Sequence, residues 1–314
     1  MPTPDSTPRT ATPRDLPVTT PDGHRTVLRL FAPEAPPRVG FLVLPAMGVA
    51  ARYYDRLGTA LSEAGVFAAV ADLRGQGASN LRAGRSVNWG YHEAVVHDLP
   101  ALIAATREAV GAAPLYVLGH SLGGHLAALH VALRPDAVAG LVLVASGTTW
   151  HRNWPAPHRF VLLAQMQLGG LIAGTLGYFP GKRLGFADRQ ARREMADWAA
   201  LGRHGRFAPR GPRVDYEAAL ARVRLPVWSY TFEGDTYTPR AAADHLVDKL
   251  SAAAVERVHL GPADVPAACL HHFQWARHPG PVVAHILRAI RLTAAQSDTK
   301  RVEDVNDPRG TSPA

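Results

Sequence analysis

Leu115-Tyr116-Val117-Leu118-Gly119-His120-Ser121-Leu122-Gly123-Gly124 sets a short apolar run directly against a G-x-S-x-G pentad. The next residues, His125-Leu126-Ala127-Ala128-Leu129-His130, continue as a helix-like stretch. The run reads as a buried strand, and the pentad as a very sharp strand-to-helix turn. A serine at such a turn is held in a strained backbone conformation. Side chains two residues before it and two after it would collide, so glycine occupies both positions. The turn lifts the Ser121 hydroxyl above the sheet edge. It also leaves the Leu122 amide at a helix N-terminus, where it faces developing negative charge.

Outward from this turn, short apolar runs alternate with longer helical patterns. That rhythm predicts an α/β fold whose mostly parallel central sheet carries helices on both faces. Strands are expected at residues 26–31, 39–44, 67–72, 115–118, 140–145, 227–232 and 255–260. Helices are expected at 53–64, 91–110, 240–250 and 281–292, besides the one after Ser121. The rhythm breaks from Gly147 to about Arg224, where Trp, His, Pro, Gly and helical segments dominate and no strand is expected. An insertion at this point reads as a cap over the site. The expected organisation is a disordered tail over 1–17, a core over 18–146 and 225–292, a helical cap over 147–224, and a disordered tail over 293–314.

The chain has 314 residues, of which 47% are apolar, enough for one large domain or two small ones. Its formal charge is +8. The arginines are scattered, and no zinc-finger spacing or RNA-binding aromatic signature accompanies them, so no nucleic-acid partner is expected. The single cysteine, Cys269, excludes an intrachain disulfide and any cysteine-based metal cluster. No histidine pair has metal-binding spacing in an acidic setting, and neither a metal nor a cofactor is expected. The N-terminus lacks the layout of a secretory signal, so a cytoplasmic location is expected. Phe160 to Phe179 is uncharged and near spanning length. Gln165, Gln167, Gly169, Gly170, Gly174 and Gly177 weaken it as a span. A pair of helices covering an apolar pocket is expected there instead, with no integral membrane span. A homodimer is compatible with the composition.

A serine hydroxyl needs a base to remove its proton, nearly always a histidine oriented by a carboxylate. Asp235 is the acid candidate. It follows the strand at 227–232, and a carboxylate at that strand end lies on the same sheet edge as Ser121. Glu233 is its local competitor. The loop after the preceding strand, Ser146-Gly147-Thr148-Thr149, offers no carboxylate. For the base, His271 and His272 both lie in the loop before the closing helix, and the chemistry alone does not separate them. A second oxyanion amide is expected from Pro45-Ala46-Met47-Gly48, with Met47 chosen and Ala46 the alternative. Asp72-Leu73-Arg74-Gly75-Gln76-Gly77-Ala78-Ser79 reads as a brace for the sheet edge. It lacks the Lys-Ser/Thr ending of a phosphate-binding loop. His120, Trp150, Trp154, Met166 and Tyr178 are expected to meet substrate. Glu194 and Asp197 leave room for an acidic cluster that could hold an amino group.

With these residues in place, the chain resembles the α/β-hydrolase superfamily over about residues 18–292. Asp72-x-Arg74-Gly75-x-Gly77-x-Ser79 and Gly119-His120-Ser121-Leu122-Gly123-Gly124 carry the likeness. A closer resemblance is to a bacterial group of predicted hydrolases with a serine-aminopeptidase-like domain. It rests on Pro45-Ala46-Met47-Gly48-Val49 followed by Tyr53-Tyr54, on Tyr178-Phe179-Pro180-Gly181-Lys182-Arg183-Leu184-Gly185, and on Thr231-Phe232-Glu233-Gly234-Asp235-x-Tyr237-x-Pro239. That group typically ends in Gly-His-x-Gly-Phe-Phe-Arg, which carries the catalytic histidine. Aligned on Arg277, this chain reads His271-His272-Phe273-Gln274-Trp275-Ala276-Arg277. The resemblance therefore selects His272. The chain departs from the pattern at His271, Gln274 and Ala276. The resemblance implies a Ser121–His272–Asp235 hydrolase with Met47 and Leu122 amides as oxyanion donors. The resemblance names no substrate; the aromatic and apolar residues of the insertion, Trp150, Trp154, Phe160, Leu162, Met166, Tyr178 and Phe179, point to a small-molecule ester, thioester or lactone with a bulky apolar portion. Acyl transfer, elimination or cyclisation by the same residues is the alternative, followed by a non-catalytic binder.

Overall fold

A computed structural model describes residues 13–211 and 213–290. Eight strands form the central sheet in the order β1-β2-β4-β3-β5-β6-β9-β10. They are β1 (Arg14–Thr19), β2 (Arg25–Phe31), β3 (Gly40–Leu44), β4 (Phe67–Ala71), β5 (Leu115–His120), β6 (Gly140–Val144), β9 (Pro226–Phe232) and β10 (Ala254–Leu260). Pairing is parallel from β4 through to β10, and antiparallel where β2 meets β1 and β4. Strands β3, β4, β5 and β6 are buried at every position, as their unbroken apolar runs require of strands covered on both faces. The last strand, β10, lies at the edge and carries Glu256 and Arg257 exposed, which blunts the edge against pairing with another chain.

The helices are α1 (Asp55–Glu63), α2 (Tyr91–Glu93), α3 (Leu99–Val110), α4 (Leu122–Leu133), α5 (His158–Leu176), α6 (Gly181–Leu184), α7 (Arg192–His204), α8 (Tyr216–Leu220), α9 (Arg240–Val247) and α10 (Gly280–Ile290). Two apolar layers form, one on each sheet face. Leu42, Leu44, Val117, Leu126, Leu129 and Leu143 belong to one layer. Phe41, Val43, Leu118, Val142, Trp275 and Ile286 belong to the other. Alternate residues of a single strand thus feed opposite layers.

Three expectations need correction. The N-terminal tail expected over 1–17 gives way at Arg14, where β1 begins and pairs with β2 from Arg14↔Leu30 to Thr19↔Arg25. Only Val18 is buried in β1, so its apolar pattern is too weak to read. The insertion is not free of strands: β7 (Tyr178–Pro180) and β8 (Arg189–Ala191) form an antiparallel hairpin. Three-residue strands leave no periodic trace in sequence. The helix expected over 91–110 is interrupted by a π-turn at Ala94–Asp98. The C-terminal tail expected over 293–314 lies outside the described residues.

Helix α5 is long and apolar enough to cross a membrane by length and composition, with 17% of its apolar window buried. It buries Met166, Gly169 and Ala173 on one side, while Phe160, Val161, Leu168 and Leu171 stay exposed. Gly170 packs over Ala199 and the Met195 backbone of α7.

The turn at Ser121 depends on close approach. A Cβ on Gly119 would collide with the Gly124 backbone, and one on Gly123 with the Leu44 carbonyl. Gly174 on α5 faces open space. Replacing Gly123 by Ala should therefore cost at least about 3 kcal/mol in urea unfolding, whereas Gly174→Ala should stabilise by about 0.5–1 kcal/mol. Equal effects at the two positions would contradict this account of the turn.

Candidate active site

Ser121 joins β5 to α4 with φ 52 and ψ −116, a backbone conformation rarely adopted by residues with a side chain. The surroundings fix it. Its N–H donates to the Val144 carbonyl at 3.2 Å. Its own carbonyl accepts from Gly124 N–H at 3.0 Å and from the Ser146 hydroxyl at 2.7 Å. Helix α4 therefore starts at the ends of β3, β5 and β6 together.

Asp235 ends the turn after β9 and is buried. One carboxylate oxygen, Oδ1, accepts from the backbone N–H of Tyr237 at 2.9 Å and of Thr238 at 3.1 Å. The other, Oδ2, meets His272 Nδ1 at 2.9 Å. Thr238 also donates its hydroxyl to the Ala145 carbonyl at 3.0 Å, which ties this loop to the end of β6. Glu233, the competing acid, is exposed. His272 is 3% exposed and its ring stacks on Tyr237 at 5.0 Å, with Phe273 edge-on at 4.7 Å. His271 is exposed, and its Nδ1 accepts only from the Phe273 amide. The two adjacent histidines are thus separated by burial and by partner.

The loop after β3 is held from below. Ala46 N–H donates to the Tyr54 hydroxyl at 2.9 Å, and that hydroxyl lies 2.6 Å from His120 Nδ1. Asp72 accepts from Ala51 N–H at 2.7 Å and from Ala78 N–H at 2.9 Å, so the Asp72–Ser79 segment braces the same loop. With its side-chain amide oriented to satisfy both partners, Gln76 donates to the Val49 carbonyl and accepts from Gly48 N–H. Burial, above all, holds the Tyr54 phenol well above its usual range. Burial likewise pushes His120 well below the usual imidazole range, helped by His272 nearby and opposed by the His272 backbone. His120 is therefore neutral.

A cavity of about 690 Å³ opens above these groups. Ser121, Leu122, Met47 and His272 line it together with Trp154 and Met166. Three residues expected at the substrate are placed elsewhere. His120 is fully buried beneath the site between Tyr54 and Trp275, because consecutive strand residues face opposite sides. Trp150 stacks on His245 at 4.7 Å. Tyr178 lies under the Arg189 guanidinium at 3.8 Å, and its neighbour Phe179 takes the cavity-facing position of β7. Sequence reading gave no cavity role to Tyr91, His125, Met195, Trp198 and Tyr237, which also line it. His125, one helical turn beyond Ser121, carried the clearest available signal.

Glu194 and Asp197 do not form an amino-group site. Both are buried between α7 and the start of α2, and Asp197 accepts from the Tyr91 and Arg210 amides at 3.0 Å each. Burial raises Glu194 to about 8 and Asp197 to about 6. Among the described residues no group of His, Cys, Asp and Glu is arranged to hold a metal ion.

The sheet order, the strained serine turn and the buried His–Asp pair at one cavity define an α/β hydrolase. Residues 35–195 match the serine aminopeptidase (S33) family, and the chain belongs to that family. It is thus a hydrolase, and its relatives include enzymes that act on esters. A pimeloyl-acyl-carrier-protein methyl ester esterase of Chromobacterium violaceum is 28% identical over 199 residues, 60% of this chain and 71% of that enzyme. Monoglyceride lipase of Rattus norvegicus is 27% identical over 143 residues, a match that spans 46% of its length and 45% of this chain. Among solved structures, a soluble variant of monoglyceride lipase from Saccharomyces cerevisiae superposes with TM-score 0.61 at 18% identity, covering 83% of this chain and 90% of that one. A thioesterase domain from the curacin biosynthetic pathway gives 0.54 at 14% identity, covering 88% and 99%. At these identities the structural likeness speaks for the fold.

The raised Glu194 has a consequence for stability. In the unfolded chain it ionises near 4.5, and in the fold only near 8. The folded state therefore binds the extra proton between these values and loses stability as pH rises through that window. Glu194→Gln should melt close to the wild type at pH 5 and several degrees above it at pH 8, in scanning calorimetry at both pH values. Parallel curves would show that Glu194 is not the group responsible.

Proposed function

We propose that the protein hydrolyses an ester, thioester or lactone with an apolar portion through an acyl-enzyme on Ser121. The observation that carries this reading is the buried His272–Asp235 pair, 2.9 Å apart, at the cavity that Ser121 lines. Asp235 accepts from Nδ1–H of His272 and leaves Nε2 as the base. Nε2 takes the Ser121 hydroxyl proton while Oγ attacks the carbonyl carbon. The Leu122 and Met47 amides hold the resulting oxyanion. Met47 is favoured over Ala46 because the Ala46 amide already donates to Tyr54. His272 then gives its proton to the departing alcohol or thiol. A water molecule, deprotonated by the same nitrogen, releases the acid and restores Ser121.

The insertion between β6 and β9 serves as a cap. Its Leu162, Met166, Ile172, Phe179, Met195 and Trp198 line the cavity and suit an alkyl or aryl portion of the substrate. Leu168, Leu184 and Phe186 line it too, yet are 56%, 54% and 38% exposed, so the mouth of the cavity is apolar as well.

Intact-mass analysis after fluorophosphonate treatment tests the nucleophile. One adduct on the wild type, and none on Ser121→Ala or His272→Ala, is expected; an untouched wild type would remove the support for an activated serine. Asp235→Asn should lower kcat on a short acyl ester about 10³–10⁴-fold. Tyr54→Phe strips the acceptor from Ala46 N–H and the donor from His120 Nδ1. It should cost about 1–3 kcal/mol in denaturant unfolding and lower kcat more than it changes KM. An unaltered kcat would separate the Tyr54 bridge from catalysis.

A further inference from the structure

Helix α5 presents an apolar stripe that no described part of the chain covers. Phe160, Ala164, Leu168 and Leu171 recur at helical spacing, and all four are exposed. Phe160 is 56% exposed and Leu171 is 63% exposed. The buried residues of the same helix, Met166, Gly169 and Ala173, lie against the side of α7 that carries Met195. The stripe runs into the mouth of the cavity, because Leu168, Leu184, Phe186 and Tyr237 are exposed and also line it. A contiguous exposed apolar patch marks an interaction surface. Residues 1–12 and 291–314 lack the composition to cover it. Their large apolar side chains are Met1, Leu292, Val302 and Val305.

Charge indicates what this surface meets. Residues 147–224 contain thirteen Lys and Arg against five Asp and Glu. The insertion thus carries +8, the formal charge of the whole chain, and the remainder is balanced. Of the five acids, Glu194 and Asp197 are buried, and Glu217 pairs with Lys249. Among the described residues, Arg193 is the one cation of the insertion paired with a carboxylate, that of Glu93. Arg159 lies over the Phe160 ring at 4.8 Å, at the start of α5. Lys182 and Arg183 directly precede Leu184. Cations therefore flank the apolar residues on both sides in the chain.

We propose that the insertion docks on a lipid surface rich in anionic headgroups, with the exposed stripe of α5, Leu184 and Phe186 in the acyl zone and Arg159, Lys182 and Arg183 among the phosphates. Such a surface satisfies both features at once. Acyl chains take the apolar side chains out of water, and phosphates neutralise the cations, an attraction that fades within a Debye length. A second copy of the chain fits less well, since two facing insertions would set +8 against +8. Spanning the bilayer would strip Met166, Gly169 and Ala173 from α7, whereas lying in the interface leaves that packing intact. In the docked orientation the cavity mouth faces the acyl zone. A lipid-borne ester then reaches Ser121 without crossing water. This route of entry rests on Ser121 being the nucleophile; the docking does not.

Vesicle flotation of the Ser121→Ala chain, which consumes no lipid, tests the docking. It should bind vesicles of equimolar phosphatidylcholine and phosphatidylglycerol at least about tenfold more tightly than phosphatidylcholine alone, and release as salt rises from about 50 to about 500 mM. Added to that chain, Phe160→Ser with Leu171→Ser, or Lys182→Glu with Arg183→Glu, should each weaken binding about tenfold or more. Arg38→Glu with Arg134→Glu changes the charge equally, but before β3 and after α4, at the sheet edge away from the insertion. This control should bind within about threefold of its parent. With Ser121 retained, the first two pairs should lower kcat/KM on a vesicle-borne ester about tenfold and leave turnover of a short soluble ester intact, which also shows that they fold. Absent binding, equal binding to both vesicles, or stripe and cation variants that bind like their parent overturn the proposal. So does a dimer in sedimentation velocity that Leu171→Ser dissolves, which would give the stripe to a second copy. A wild type that floats but resists fluorophosphonate counts against the nucleophile alone.

Discussion

Helix α4 must begin within van der Waals contact of three strand ends, and that single demand organises the centre of the molecule. Gly119, Gly123 and Gly124 meet it by having no side chain where the Gly124 backbone, the Leu44 carbonyl and the Ser146 hydroxyl already stand. The consequence is a helix buried from Leu122 to Val131 without interruption, a pattern that an amphipathic surface helix never shows. It also puts the Ser121 hydroxyl and the Leu122 amide at the same point, beside the loops that follow β3, β6 and β9.

Those loops are joined by hydrogen bonds. The loop after β3 reaches β5 through Ala46, Tyr54 and His120. The turn after β9 reaches β6 through Thr238 and Ala145, and reaches the segment after β10 through Asp235 and His272. Each link uses a buried polar group that would otherwise be costly, so the network holds its members in one arrangement. The cavity wall above it follows a different rule, with apolar side chains from the insertion lining much of it.

Legibility in the sequence tracked the strength of the local pattern. The fully buried strands β3, β4, β5 and β6 announce themselves as apolar runs, β9 is buried from Val227 onward, and the serine turn is marked by its glycines. The position of Asp235 at a strand end was readable for the same reason. His272 was not separable from His271 by chemistry, since adjacent loop residues differ only in how the loop turns; the resemblance supplied what local reasoning lacked. β1 escaped because only Val18 of its residues is buried, and β7 and β8 because three residues are too few to carry a periodic pattern. His120, Trp150 and Tyr178 were assigned to the substrate by residue type, yet each found a partner elsewhere: Tyr54, His245 and Arg189. An aromatic side chain reads alike in sequence whether it faces a cavity or a neighbouring ring.

Ser121 and Ala145 both hold positive φ, at 52° and 46°, without the freedom of glycine. Each such position costs about 1–3 kcal/mol, and the surrounding packing must exceed that to keep it. The two lie on neighbouring strand ends, linked through the Ser121 N–H bond to the Val144 carbonyl. Under the proposed role of Ser121, chemistry and durability therefore pull this region in opposite directions. A lineage or a screen that rewards heat resistance alone will accumulate glycine at 121 and 145, and the first of these changes discards the hydroxyl. With Ser121 as the proposed nucleophile, relief of strain at that position and retention of its hydroxyl exclude one another.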